Sequence, residues 1–109
     1  IPAIKHSSGI YYQIKTQGNG AKPTTSSTVS VTYEGKLLNG NVFDKSNAPV
    51  SFALNRLIMG WQIGIPLINK GGSIRLIMPS ALAYGTASPG LGIPKNSVLD
   101  FEITLVDVN

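Results

Sequence analysis

The chain has 109 residues, 42% hydrophobic and 13% charged, with no cysteine and a formal net charge of +4. That length suits one domain able to bury a core without covalent staples, and the lack of cysteine excludes a disulfide framework, a thiolate metal site and a cysteine nucleophile. The nine basic residues are spread from Lys5 to Lys95 with no adjacent pair, and no apolar run reaches the roughly 20 residues of a membrane-spanning helix, so neither nucleic acid nor a membrane span is expected.

Ile1-Pro2-Ala3 include neither an initiator Met nor a charged-then-apolar leader, which reads as a trimmed or processed piece of a longer protein. Residues 1–9 show no clear pattern and are assigned as a linker or an edge segment, with the domain over 10–109. Five stretches then alternate apolar and polar residues with the period of a half-buried strand. Ile10, Tyr12 and Ile14 oppose Tyr11, Gln13 and Lys15. Val29, Val31 and Tyr33 oppose Ser30, Thr32 and Glu34, and the pattern runs to Leu37 before Asn39-Gly40-Asn41, a hairpin signal. Val50, Phe52 and Leu54 oppose Ser51 and Ala53. Over 55–69, Ile58, Trp61, Ile65 and Ile68 recur at spacings of three and four, which predicts a helix. Gly60, Gly64 and Pro66 shorten it to one or two turns that end or bend at the proline, and Lys70-Gly71-Gly72 suits the exit.

Ile74, Leu76 and Met78 oppose Arg75 and Ile77 in the fourth strand. Leu99, Phe101, Ile103 and Leu105 oppose Asp100, Glu102 and Thr104 in the fifth. Between them, 80–97 hold Pro89, Gly90, Gly92 and Pro94 with no sustained period and read as a long loop, a kind of segment that usually carries function. One wet and one dry face per strand is the mark of an antiparallel sheet covered on one side. The fold class is therefore α+β, with about five strands and one short helix.

Familiar catalytic constellations fail. A Ser/His/Asp triad would need His6, the only histidine, and no G-x-S-x-G elbow exists. One histidine without cysteine cannot build a zinc site, and the glycines match neither a Walker loop nor a dinucleotide fingerprint. An enzyme with this sequence works without a metal, a cofactor, a covalent nucleophile or a titrating histidine.

Six blocks stand out, in order: Val31-Thr32-Tyr33-Glu34-Gly35, Gly40-Asn41-Val42-Phe43-Asp44, Leu57-Ile58-Met59-Gly60-Trp61, Met78-Pro79-Ser80-Ala81-Leu82-Ala83-Tyr84-Gly85, Gly92-Ile93-Pro94-Lys95-Asn96-Ser97 and Leu99-Asp100-Phe101-Glu102. They resemble the successive signature blocks of FKBP-type prolyl isomerases over about 29–108. The resemblance implies a sheet curved around the helix and an activity, rotation about X-Pro bonds of polypeptides during folding. It also implies a pocket floored by Trp61 and walled by Tyr33, Phe43, Phe52, Leu57, Ile58, Ile93 and Phe101. Val50 stands at a binding position where many members have an aromatic. Asp44 and Tyr84 would be polar contacts at the rim, and the Ile58 amide would bond a ligand carbonyl. Catalysis would rest on Asp44, Trp61, Tyr84, Phe101 and Tyr33.

Besides Val50, Lys95 replaces a usual proline and Ser88 stands where some members have histidine, so a weakly active binding module or chaperone stays open beside the active isomerase. Expected partners are proline-containing polypeptides and macrolide inhibitors, with the domain a monomer. Low charge and abundant Ser, Thr, Asn and Gly favour a periplasmic, lipid-anchored or secreted bacterial protein over a cytoplasmic one.

Overall fold

Apolar alternation along the strands translates directly into burial. The computed structural model describes residues 4–6, 9–37, 40–46, 48–79 and 98–108. Its strands are β1 (Ile4–Lys5), β2 (Tyr11–Thr16), β3 (Thr28–Leu37), β4 (Val42–Lys45), β5 (Val50–Ala53), β6 (Ser73–Met78) and β7 (Leu99–Val108). All pair antiparallel in one sheet of order β1-β2-β6-β7-β3-β4, with β5 also on β3. β4 and β5 share one edge of β3, facing Glu34 to Lys36 and Thr28 to Val31 respectively. Of the two strands beyond the expected five, β1 has only two residues, too few for a period to register, and β4 carries a register shift that breaks its alternation. β1 lies at the sheet edge, within the segment assigned as linker or edge.

On β6 and β7, Ile74, Leu76, Met78, Leu99, Phe101, Ile103 and Leu105 are buried, and they form one core with Val29, Val31, Ile10, Leu54, Trp61, Ile65 and Ile68. The helix α1 (Met59–Gly64) lies between β5 and β6 with a 3-10 turn on either side, Leu54–Arg56 and Ile65–Leu67. Pro66 lacks the N–H that would bond the Gln62 carbonyl, so the α-helical ladder stops and the chain tightens into the second turn. Gly60 and Gly64 set the distance to the sheet. A Cβ at Gly60 would collide with the Met78 side chain, and one at Gly64 with Leu76. Residues that weaken the helix by propensity are thus the ones that let it sit on β6 closely enough to close the core. Among the described residues no helix is long and apolar enough to cross a membrane.

Candidate functional site

β3 and β7 supply the base of the site. Gly35 lies opposite Phe101 and Tyr33 opposite Ile103, all on the face toward the helix. A Cβ at Gly35 would stand 2.7 Å from both the Phe101 and Phe43 rings. Its absence leaves room for those rings, which meet edge to face at 5.5 Å and 87°.

Phe43 and Asp44 are neighbours in sequence, and strict strand alternation would send them to opposite faces. The register explains why both reach the site. Gly35 faces Asp44 while Lys36 faces Val42, so Phe43 is the extra residue of a bulge in β4. The Asp44 carboxylate Oδ2 accepts a hydrogen bond from the Tyr33 hydroxyl at 2.9 Å. Tyr33 is further tied to the strand end, where its N–H donates to Ser46 Oγ at 2.9 Å and its carbonyl accepts from the Ser46 N–H at 3.0 Å.

From the other side, α1 delivers Trp61, only 5% exposed. Its ring meets those of Tyr33 and Phe101 at 5.2 Å each and that of Phe52 at 6.1 Å, all edge to face. The indole Nε1–H is the one buried side-chain polar atom among the described residues without a hydrogen-bond partner. The turn ahead of the helix is latched by Gln62, whose Nε2 donates to the Leu57 carbonyl at 2.7 Å. In a trans peptide the next N–H points opposite to that carbonyl, so the latch turns the Ile58 N–H away from Gln62. That amide meets no acceptor among the described residues.

These pieces enclose a cavity of about 270 Å³, with apolar walls from Tyr33, Phe43, Phe52, Leu57, Ile58, Trp61 and Phe101 and two charged members, Asp44 and Arg56. Nine of the eleven residues expected at the site fall among the described residues, and eight of those line this cavity. Val50, paired with Val31 on β5, is 38% exposed and is not among the lining residues. Tyr84 and Ile93 lie outside the described residues. Arg56, Gln62 and Gly35 were not foreseen. Only Gly35 had a legible signal, a glycine on the dry face of a strand between aromatic positions.

A second cavity, about 290 Å³, opens on the opposite face of the sheet, where Lys15, Thr32, Glu34, Lys45, Ser73, Glu102 and Thr104 project. Its charges are mutually paired. Lys15 Nζ lies 2.7 Å from Glu102, and Glu34 takes Lys36 at 3.2 Å and Lys45 at 3.5 Å. The hydrogen bond from Lys36, helped by Lys45, holds the Glu34 carboxyl below its ordinary value. Among the described residues no three His, Cys, Asp or Glu side chains gather as a metal site would need.

Comparison with known proteins agrees with this fold. Residues 19–106 match the family described as FKBP-type peptidyl-prolyl cis-trans isomerase. FkpA of Escherichia coli strain K12, an FKBP-type peptidyl-prolyl cis-trans isomerase, is 46% identical over 94% of this chain and 38% of its own length. A probable isomerase of the same type from Haemophilus influenzae is 43% identical over 94% of this chain and 44% of its own. The crystal structure of Escherichia coli FkpA superposes with a TM-score of 0.93 at 44% identity, covering 98% of this chain and 51% of that one. The chain thus spans less than half the length of these curated relatives. It belongs to the FKBP-type peptidyl-prolyl cis-trans isomerase family.

Proposed function

We propose that this chain catalyses cis/trans rotation about X-Pro bonds of polypeptides, and that the cavity between α1 and the sheet is where it does so. An X-Pro bond resists rotation because amide resonance must be broken, against a barrier of about 18–20 kcal/mol, and uncatalysed exchange takes roughly 10–100 s at 25 °C. No bond forms or breaks. In the twisted state the C–N bond loses double-bond character and the carbonyl becomes less dipolar, so that state leaves water for an apolar site more easily than the planar amide does. A cavity walled by Tyr33, Phe43, Phe52, Leu57, Ile58 and Phe101 around the Trp61 indole prefers the twisted form, and only such a differential accelerates the step. Each 1.36 kcal/mol of preference is worth tenfold.

The observation that carries this reading is the pairing of a cavity walled mainly by apolar and aromatic side chains with an unused backbone donor, the Ile58 N–H, at its wall. In the proposal that amide and the Tyr84 hydroxyl hold the carbonyls flanking the proline, whose ring rests on Trp61. Asp44 accepts from Tyr33 and fixes one wall; it takes no proton from the substrate. Macrolide inhibitors would enter the same cavity, and a single domain suffices for the chemistry. The test is kcat/KM for an X-Pro peptide, measured by NMR exchange. Wild-type protein accelerates exchange, and Trp61→Leu and Tyr84→Phe each lower kcat/KM, the former by on the order of tenfold or more. Unchanged values in both variants refute the assignment, and tight binding without acceleration would identify a binding module instead.

A further inference from the structure

Every acidic side chain of the protein is engaged. Glu34 pairs with Lys36 and Lys45, Asp100 with Arg75, Glu102 with Lys15 and Asp107 with Lys70, while Asp44 takes the Tyr33 hydroxyl. The described cations left without an ion pair are Lys5, Lys22 and Arg56, and of these Arg56 alone lines the apolar cavity. It ends the 3-10 turn Leu54–Arg56, is exposed, and makes no hydrogen bond with any described residue. No Asp44 oxygen comes within ion-pair distance of it, so the two charged members of the cavity stand apart rather than neutralise each other.

An unpaired guanidinium is a poor choice for gripping a neutral prolyl segment. It presents a fork of donors that matches a carboxylate, and its charge acts at long range near low-dielectric walls. Resting on the prolyl-binding reading above, we infer that Arg56 is a specificity-determining residue: the protein prefers prolyl segments with an Asp or Glu next to the proline, bound with that carboxylate on the Arg56 side of the cavity. Asp44 repels a carboxylate at the other wall, so the two charges together orient the segment. An exposed ion pair of this kind is worth roughly two- to fivefold in affinity at low salt, and less at 1 M salt, where the screening length falls to about 3 Å.

The test uses two peptide series, with Glu, Gln or Lys directly before the proline and then directly after it. Binding is read from the fluorescence of Trp61, the only tryptophan, and turnover from NMR exchange, for wild type, Arg56→Gln and Arg56→Glu. Wild type is expected to favour Glu over Gln by roughly two- to fivefold in at least one series. Arg56→Gln brings that ratio to one, and Arg56→Glu turns the preference toward Lys. Equal Glu-to-Gln ratios for wild type and Arg56→Gln in both series overturn the inference even if turnover is fast. An Arg56-dependent binding preference without any acceleration supports it and removes the isomerase reading instead. Failure of every peptide to bind overturns both.

Discussion

The two cavities of this protein are built from the same strands and differ little in size, about 270 and 290 Å³, yet only one is equipped to bind. β3 and β7 line both. Tyr33 and Phe101 face the helix, while their neighbours Glu34 and Glu102 face solvent. On the outer face, Lys15, Glu34, Lys45 and Glu102 satisfy one another across the sheet, leaving little for a ligand to gain. On the inner face, the Ile58 N–H, the Trp61 Nε1–H and the Arg56 guanidinium meet no acceptor among the described residues, beside mainly apolar walls. Volume does not separate the two. Unspent hydrogen-bonding capacity beside apolar surface does.

Filling the gap under the aromatic pair breaks the inner cavity most severely. Gly35→Ala forces the Phe43 and Phe101 rings apart, an overpacking that costs roughly 1–3 kcal/mol. It should lower the urea midpoint and reduce kcat/KM by on the order of tenfold. An unchanged rate would show that the geometry of these rings is irrelevant. A smaller effect follows from releasing the latch. Gln62→Ala frees the Leu57 carbonyl and lets the Ile58 amide turn, which costs about one hydrogen bond, or two- to tenfold. Because that amide holds ground and transition state alike, KM rises while kcat stays level; a fall in kcat alone would contradict the assigned role.

Smallest of all is the response of the outer face. Lys36 and Lys45 lower the pKa of Glu34, so the stability it contributes is full above the ordinary glutamate value, about 4.3, and vanishes as the pH falls through the lowered value. Glu34→Gln should therefore lower Tm slightly at neutral pH, converge with wild type in acid and leave prolyl turnover unchanged. A Tm difference that grows toward acid would reverse the sign of this coupling.

How much of this was legible in the sequence differs between the two faces as well. The buried set of β3, β6 and β7 follows from period-two alternation, and the break at Pro66 follows from its missing N–H. Phe43 and Asp44 reaching one cavity does not follow, since a bulge is set by pairing between strands and leaves no local pattern. Arg56 and Gln62 were equally hidden. Their meaning depends on which partners the fold denies or grants them, and partners are a property of the packed chain. The aromatic set was found through the resemblance, because apolar periodicity alone cannot tell a pocket wall from plain core. Val50 likewise comes from the resemblance; it lies on β5, 38% exposed, and is not among the residues that line the cavity.

The central claim is that rotation is accelerated by apolar surroundings and fixed hydrogen bonds, with no proton in flight. It is tested most directly by kcat/KM for a neutral X-Pro peptide between about pH 5 and 8, in ordinary and in heavy water, a range in which an acid–base catalyst would titrate. The account predicts a flat profile and a solvent isotope ratio near one. A bell-shaped profile, or a rate that falls several-fold in heavy water, would mean that a proton moves in the rate-limiting step and would contradict it.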